Sequence, residues 1–349
     1  MNSSHRWILK DVHAAAGGVF REQRGGGGVA SYGDHDAEFT AALDGAGLVE
    51  MAERGVVEVS GPKRLELLQG LVSNDVAGRR PGQGCRAALM TAKGHLRFLL
   101  RLLVDEDVVH VETERHRLDL LQGVLEHYRV AAPVRFGATS RVVLALVGVA
   151  SSRVLKTLGI EAPASPEDHA RATLAGQDVL VARAGDLPGG GFVLHVGPEQ
   201  AEAVWGALSA GGARPVGRDA LDARRVEDLT PWYEADITEN NLLHETGLLG
   251  ELHSPTKGCY VGQEVVARLE ARGGNVNKAL RRVRLSTPAA SGAAVRAGGK
   301  DVGLLATTAV SPRLGPIALA WIHRNHLAPG TELDVAGAPA TVLDDFGQE

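Results

Sequence analysis

The chain has 349 residues, 44% of them hydrophobic and 23% charged, with a formal charge of -5. That length accommodates two or three domains with cores of their own, and the composition is that of ordinary globular proteins rather than disordered or membrane chains. The acidic balance argues against a dedicated nucleic-acid binder, which needs a basic stripe to neutralise phosphates. Two cysteines, Cys85 and Cys259, stand in unrelated contexts without a CxxC spacing. A disulfide framework is thereby excluded and a zinc site of thiolates alone disfavoured. No basic segment followed by an apolar run opens the chain, and no apolar window reaches the roughly 20 residues of a membrane span, so the expected location is the cytoplasm.

Residues 1 to 47 are weakly patterned and are expected to form an N-terminal extension. The Gly25 to Gly28 run reads as a flexible loop, because no Gly-Lys-Ser/Thr follows it to hold a phosphate. His5, His13 and His35 have no partners at ligand spacing and read as surface histidines. From Val56 the pattern sharpens. Val57 and Val59 alternate as in a strand, Gly61-Pro62 makes the turn, and Leu65, Leu67, Leu68 and Leu71 line a helix face. The same strand, turn and helix grammar returns at Val142 to Gly159 and at Phe192 to Leu208, predicting α+β subdomains of related design with helices on antiparallel sheets. No GxGxxG joins a strand to a helix, so a dinucleotide fold is not indicated.

Between these units, Ala87 to Met90 and Leu96 to Val104 form a hairpin across Thr91 to Gly94. Residues 137 to 140 read as a linker, Pro163 to Pro166 as a loop, and Leu187 to Gly191 as a Gly-rich hairpin turn. Asn74-Asp75 has the composition of a turn pair. Pro255 and Gly258 punctuate a turn before Val261, Val265, Val266 and Leu269, which fall near one face of a helix closed by Gly273-Gly274. Cys259 therefore sits on the approach to a helix N-terminus, where unpaired N–H groups and the Lys257 ammonium would favour a thiolate. A small core hydrophobe is the alternative for such a cysteine. Gln263 and Glu264 offer an amide and a carboxylate in the first turn. From Arg282 to Leu343, short alternating segments separated by Gly or Pro predict a small β-barrel.

The run Lys257-Gly258-Cys259-Tyr260-Val261-Gly262-Gln263-Glu264 resembles the signature of YgfZ-type folate-binding proteins, relatives of the glycine cleavage T protein (aminomethyltransferase). Gln69 to Val76 and Arg225 to Ile237 resemble two further stretches of that family. The resemblance implies two related α+β (ferredoxin-like) subdomains and a C-terminal β-barrel around a central channel that holds tetrahydrofolate. It implies boundaries of 48–136 for the first subdomain, completed by 226–275, then 137–225 for the second and 276–349 for the barrel. It makes Cys259 the functional thiol and Glu227 the residue that holds the pterin, whose adjacent N–H donors suit a bidentate carboxylate. A pair between Glu227 and Arg224 or Arg225 is the competing explanation. Lys257, Tyr260, Gln263, Arg268, Asn74 and Asp75 complete the expected folate-binding set, with no metal ligands among them.

The chain departs from the T protein where it matters for catalysis. The acidic pair that T proteins carry after the hairpin glycine corresponds to Phe98 and Leu99, and methylene transfer needs a carboxylate near the developing positive charge. Asp105 and Asp107 lie further along the strand, where reaching the site would break the hairpin register. Leu229 and Glu234 replace family glycines. The expected function is therefore a tetrahydrofolate-binding accessory protein in iron-sulfur cluster assembly or repair, with folate and iron-sulfur assembly or client proteins as partners. A folate-dependent aminomethyltransferase or other one-carbon transferase, and a folate-binding scaffold, are the alternatives.

Overall fold

The computed structural model describes residues 7–23 and 26–344. His5 and Gly25 lie outside the described residues. The chain runs α1 (Lys10–Ala15), β1 (Val19–Gln23), β2 (Gly26–Ser31), α2 (His35–Leu43), β3 (Gly47–Glu50), β4 (Arg54–Ser60), α3 (Arg64–Leu71), β5 (Gln83–Met90), β6 (Leu96–Val104), β7 (Val108–Glu114), α4 (Leu118–Arg129) and β8 (Arg135–Ala138). It continues through β9 (Val142–Val147), α5 (Ser151–Thr157), β10 (His169–Leu174), β11 (Gln177–Arg183), β12 (Gly191–Val196), α6 (Ala201–Ala210), β13 (Arg214–Pro215), α7 (Arg218–Glu227), α8 (Leu249–Leu252) and α9 (Gln263–Ala271). The last part is β14 (Lys278–Leu285), β15 (Ala294–Ala297), β16 (Lys300–Ser311), β17 (Gly315–His323), β18 (Glu332–Val335) and β19 (Ala338–Val342).

The expected α+β architecture with a C-terminal barrel is what forms. Among the described residues, one sheet has the order β5-β6-β7-β4-β8, a second β10-β11-β12-β9-β3-β13, and β14-β17-β16-β15-β18-β19 close into a barrel. The two sheets are one design used twice. In each, a strand and a helix lead into a three-strand meander, then a second helix and an edge strand; the second copy differs by the insertion of β3 between β9 and β13. The three strand-and-helix units predicted from the sequence therefore belong to two copies. Phe192 to Leu208 is the closing half of the second copy, matching β7 and α4 in the first, whose pattern the sequence reading passed over.

Alternation explains the layering. In β9, Val142, Leu144 and Leu146 pack with α5 and α6, while Val143, Ala145 and Val147 pack on the other face with α2 and α7. Both faces are covered, which is why the strand is continuously apolar. In β6, Phe98, Leu100, Leu102 and Val104 face α3 and α4, and Leu103 of the opposite face joins the core between the sheets. Arg101 sits on that inner side, and its guanidinium donates to Glu112 at 2.6 Å, Glu167 at 2.6 Å and Asp186. Glu112 also accepts from or pairs with His195 of the second sheet at 2.8 Å. Buried charges survive only when so paired.

Three local expectations are corrected. Gly26 to Gly28 form a strand, paired with β1, because ladder bonds need only backbone groups. His13 is buried, lying 2.8 Å from both Glu50 and the Tyr32 hydroxyl. Residues 137 and 138 belong to β8, which pairs with β4. The predicted extension ends at Gly47, the first residue of β3, which is entered from α2 and pairs with β9 of the second sheet. No helix among the described residues is long and apolar enough to cross a membrane.

Candidate functional site

The stretch from Ser254 to Arg268 packs against the first sheet. Lys257 donates from Nζ to the carbonyls of Gln69 at 2.6 Å, Asn74 at 3.1 Å and Val72. These groups cluster at the C-terminal end of α3, where the last carbonyls have no intrahelical partner and a cation is favoured. Burial draws the Lys257 ammonium down to about 8. Its donors are thus taken up by the chain rather than turned toward a ligand or the Cys259 sulfur. The Tyr260 ring lies 5.0 Å from Nζ, and the Tyr260 N–H donates to Gln263 Oε1 at 3.1 Å. Gly262 caps α9 with φ 86°, its Cα so close to the hairpin turn that a Cβ would meet the Thr91 carbonyl at 2.6 Å.

Cys259 stands between these two anchors with its thiol exposed, whereas Cys85 is buried in the first core. α9 begins at Gln263, four residues beyond the sulfur-bearing position, and Arg268 projects from it exposed. Asn74 donates from Nδ2 to the carbonyls of Arg86 at 2.8 Å and Glu251 at 2.9 Å, and Asp75 accepts from Gln69 at 3.0 Å. Both residues act as turn clamps, the alternative the composition offered.

Glu227, at the end of α7, is fully buried. Its carboxylate accepts from the Ser311 hydroxyl, from Arg313 at 2.5 Å and from Arg224 at 3.3 Å. Arg282 donates to its carbonyl. The pairing explanation is therefore present in the structure, with two barrel residues added that lie far away in sequence. The carboxylate pins α7 to the barrel.

Between the first sheet, α7 and the barrel lies a cavity of about 420 Å³. Arg54 and Glu114 of the first sheet, Arg218 and Arg225 of α7, Trp232 and Tyr233, and Thr307 of the barrel contribute to its wall. A second cavity, about 360 Å³, shares Asp219, Asp222 and Thr308 with it and is otherwise more apolar, lined by Leu285, Pro288 and Val310. Neither Cys259 nor Glu227 lines either cavity.

The charges around the larger cavity are mutually satisfied. Arg225 pairs with Asp222 at 2.6 Å and with Asp236, Arg218 with Glu53 at 2.9 Å, and Arg54 with Glu114 at 3.3 Å. Arg218 and Arg225 both lie over the Trp232 indole, at 4.6 and 5.0 Å, and its N–H donates to the Asp186 carbonyl at 3.0 Å. A narrow annex bounded by Arg54, Trp232 and Tyr233 leads to Leu99, Arg101 and Asp186. Phe98 is sealed in the first core, and of the two residues only Leu99 reaches this annex. The carboxylate found there instead, Asp186, comes from the loop between β11 and β12, and Arg101, Arg86 and Arg54 hold its acidity well above that of an ordinary carboxylate against the opposing effect of burial. Asp105 is remote, gripped by Arg171 at 2.6 Å. Arg54 and Asp186 escaped the sequence reading because each is a lone charge in its own segment. Trp232 and Tyr233 carried a signal through the motif that contains them. Among the described residues, no group of three or more His, Cys, Asp or Glu side chains is arranged to hold a metal ion.

Comparison with known proteins follows the same outline. The family model of the GCVT N-terminal domain matches residues 9–251. An aminomethyltransferase from Saccharopolyspora erythraea is 28% identical over 96% of this chain and 94% of its own length. A putative chloroplastic transferase from Arabidopsis thaliana is 25% identical over 93% of this chain and 76% of its own. The crystal structure of glycine cleavage system aminomethyltransferase T from Bartonella henselae superposes with a TM-score of 0.86, covering 97% of this chain and 96% of that one at 21% identity, a likeness of fold.

Proposed function

This chain belongs to the GCVT N-terminal domain family, and from that premise we propose that it is a tetrahydrofolate-binding protein of the YgfZ type, acting as an accessory in iron-sulfur cluster assembly or repair. The observation that carries the choice is Leu99. It stands at the annex of the central cavity in a position where, by the resemblance, a T protein presents its carboxylate. A leucine cannot stabilise the positive charge that methylene transfer develops.

The cavity suits the folate. Its volume of about 420 Å³ is in the range of small-molecule sites. Carboxylates in its wall can accept the N–H groups of a pterin, and arginines can meet the carboxylates of the glutamyl tail. When bound, the folate supplies a one-carbon unit carried on nitrogen. Cys259 works apart from the folate, as an exposed nucleophile or a transient ligand for iron, which is cargo here.

Titration calorimetry with 5-formyltetrahydrofolate tests the folate half: the wild-type chain binds, and Ala235→Trp, which fills the cavity, weakens binding at least about tenfold, a loss of roughly 1.4 kcal/mol. Cys259→Ala keeps folate affinity but fails to restore iron-sulfur enzyme activity in a deletion strain. Full rescue by that variant would falsify the thiol's role. The aminomethyltransferase reading, favoured by the names of the relatives, is separated by assaying methylene transfer with a lipoyl carrier protein, where turnover despite Leu99 would overturn the proposal. Folate binding with neither methylene transfer nor a requirement for Cys259 would leave the folate-binding scaffold reading.

A further inference from the structure

Glu234 holds a left-handed backbone, φ 63°. An L-residue there costs about 1–2 kcal/mol relative to glycine, and such a conformation persists only where its surroundings over-determine it. They do. The Glu234 N–H donates to the Ile237 carbonyl at 2.6 Å, and one carboxylate oxygen accepts from Arg117 Nη1 at 2.9 Å. Arg117 is itself fixed, donating from Nη2 to the Arg97 carbonyl at 2.9 Å and lying over the Phe98 and Tyr233 rings at 4.9 and 5.3 Å.

The other oxygen of Glu234 lies 3.0 Å from His116 Nε2. Both side chains are in the wall of the central cavity. Nδ1 of His116 has no protein partner among the described residues, and the imidazole is partly exposed at 35%. A carboxylate 3.0 Å from its far nitrogen favours the protonated imidazole by its charge and leaves Nδ1 to meet a ligand. The other charged groups that share the cavity with it and Glu234 are already paired with one another: Arg54 with Glu114, Arg218 with Glu53 and Asp222, Arg225 with Asp222, and Arg21 with Asp219. Arg117 is taken up by Glu234.

We propose that His116, held by Glu234, is the proton-accepting site of the central cavity, and that it takes a ligand carrying an ionisable nitrogen, an amine or a ring N–H. The proton leaves the ligand nitrogen, which keeps the bonding pair, and joins the Nδ1 lone pair; Glu234 stabilises the imidazolium until the proton returns. The role rests on the folate reading of the cavity and deepens it, since a reduced pterin presents such nitrogens.

The test is calorimetry with 5-formyltetrahydrofolate across about pH 5 to 8, the interval in which imidazoles change charge, in two buffers of different ionisation enthalpy to count protons. Wild-type binding is accompanied by proton exchange and varies with pH. In His116→Gln the exchange and the pH slope vanish and affinity falls roughly tenfold. In Glu234→Gly, which relieves the backbone and removes the carboxylate beside Nε2, the proton exchange on binding falls. Wild-type binding with a profile that His116→Gln leaves unchanged overturns the proton site alone. No binding by the wild-type chain overturns the folate reading and this site with it.

Discussion

Three donors converge on Glu227, and two of them, Ser311 and Arg313, lie 84 and 86 residues further along the chain. The sequence identified the residue as special, and offered Arg224 as a partner, but the barrel residues that complete its shell have no local signature. Removing the buried carboxylate leaves the Ser311 hydroxyl without its acceptor, while Arg224 keeps Asp228 and Arg313 is half exposed, at a cost of about 1–3 kcal/mol. Glu227→Ala is therefore expected to lower the urea midpoint by that equivalent, and a variant as stable as the parent would show that the carboxylate is not the pin between α7 and the barrel. Lys257 is a similar case. Its place in a motif made it a candidate ligand, whereas its three acceptors at the end of α3 show a cap.

At the scale of elements, α9 and the β5–β6 hairpin explain much of the central motif. Gly94, with φ 77°, would drive a Cβ into Val265 at 2.7 Å, and Gly262 would meet Thr91 across the same contact. The two glycines let the helix start sit directly on the hairpin turn. Gly262→Ala must bear both the left-handed backbone, about 1–2 kcal/mol, and the clash, so a clear loss in chemical stability is expected. Gly258→Ala, which has open space and ordinary φ, serves as the control and should be nearly neutral. Equal stabilities for the two variants would contradict the packing account. The hairpin and the helix were legible because their periods, 2 and 3.6, are written in consecutive residues. Their docking was not, because Thr91 and Gly262 are distant in sequence.

At the scale of the whole molecule, two copies of one α+β design pack together beside a barrel, and the join between the sheets is ionic as well as apolar. His110 is buried there, and burial, helped by His195 and nearby arginines, pushes its imidazole down to about 3 from 6.5. Arg101, working against burial, holds Glu112 down to about 2 from 4.5. In both cases the unfolded chain takes up protons first as pH falls, so acid weakens the fold. Stability is full above about 6.5 and is lost toward about 3 with a slope near 1.4 kcal/mol per pH unit from His110, Glu112 adding to it below about 4.5. Denaturant midpoints measured from neutral pH downward should show this slope, and His110→Phe should flatten its upper part; a flat wild-type profile between about pH 6.5 and 4.5 would remove the imidazole from the account. The sequence by itself determined the strand, turn and helix units, the hairpin, the barrel segments and the motif around Cys259, because these are patterns of neighbouring residues. Only the tertiary structure decided that Glu227 is sealed, that Asp186 stands beside Leu99, and that His116 meets Glu234, because each depends on which distant charges the fold brings together out of water, where pairing governs what a carboxylate or an imidazole can do.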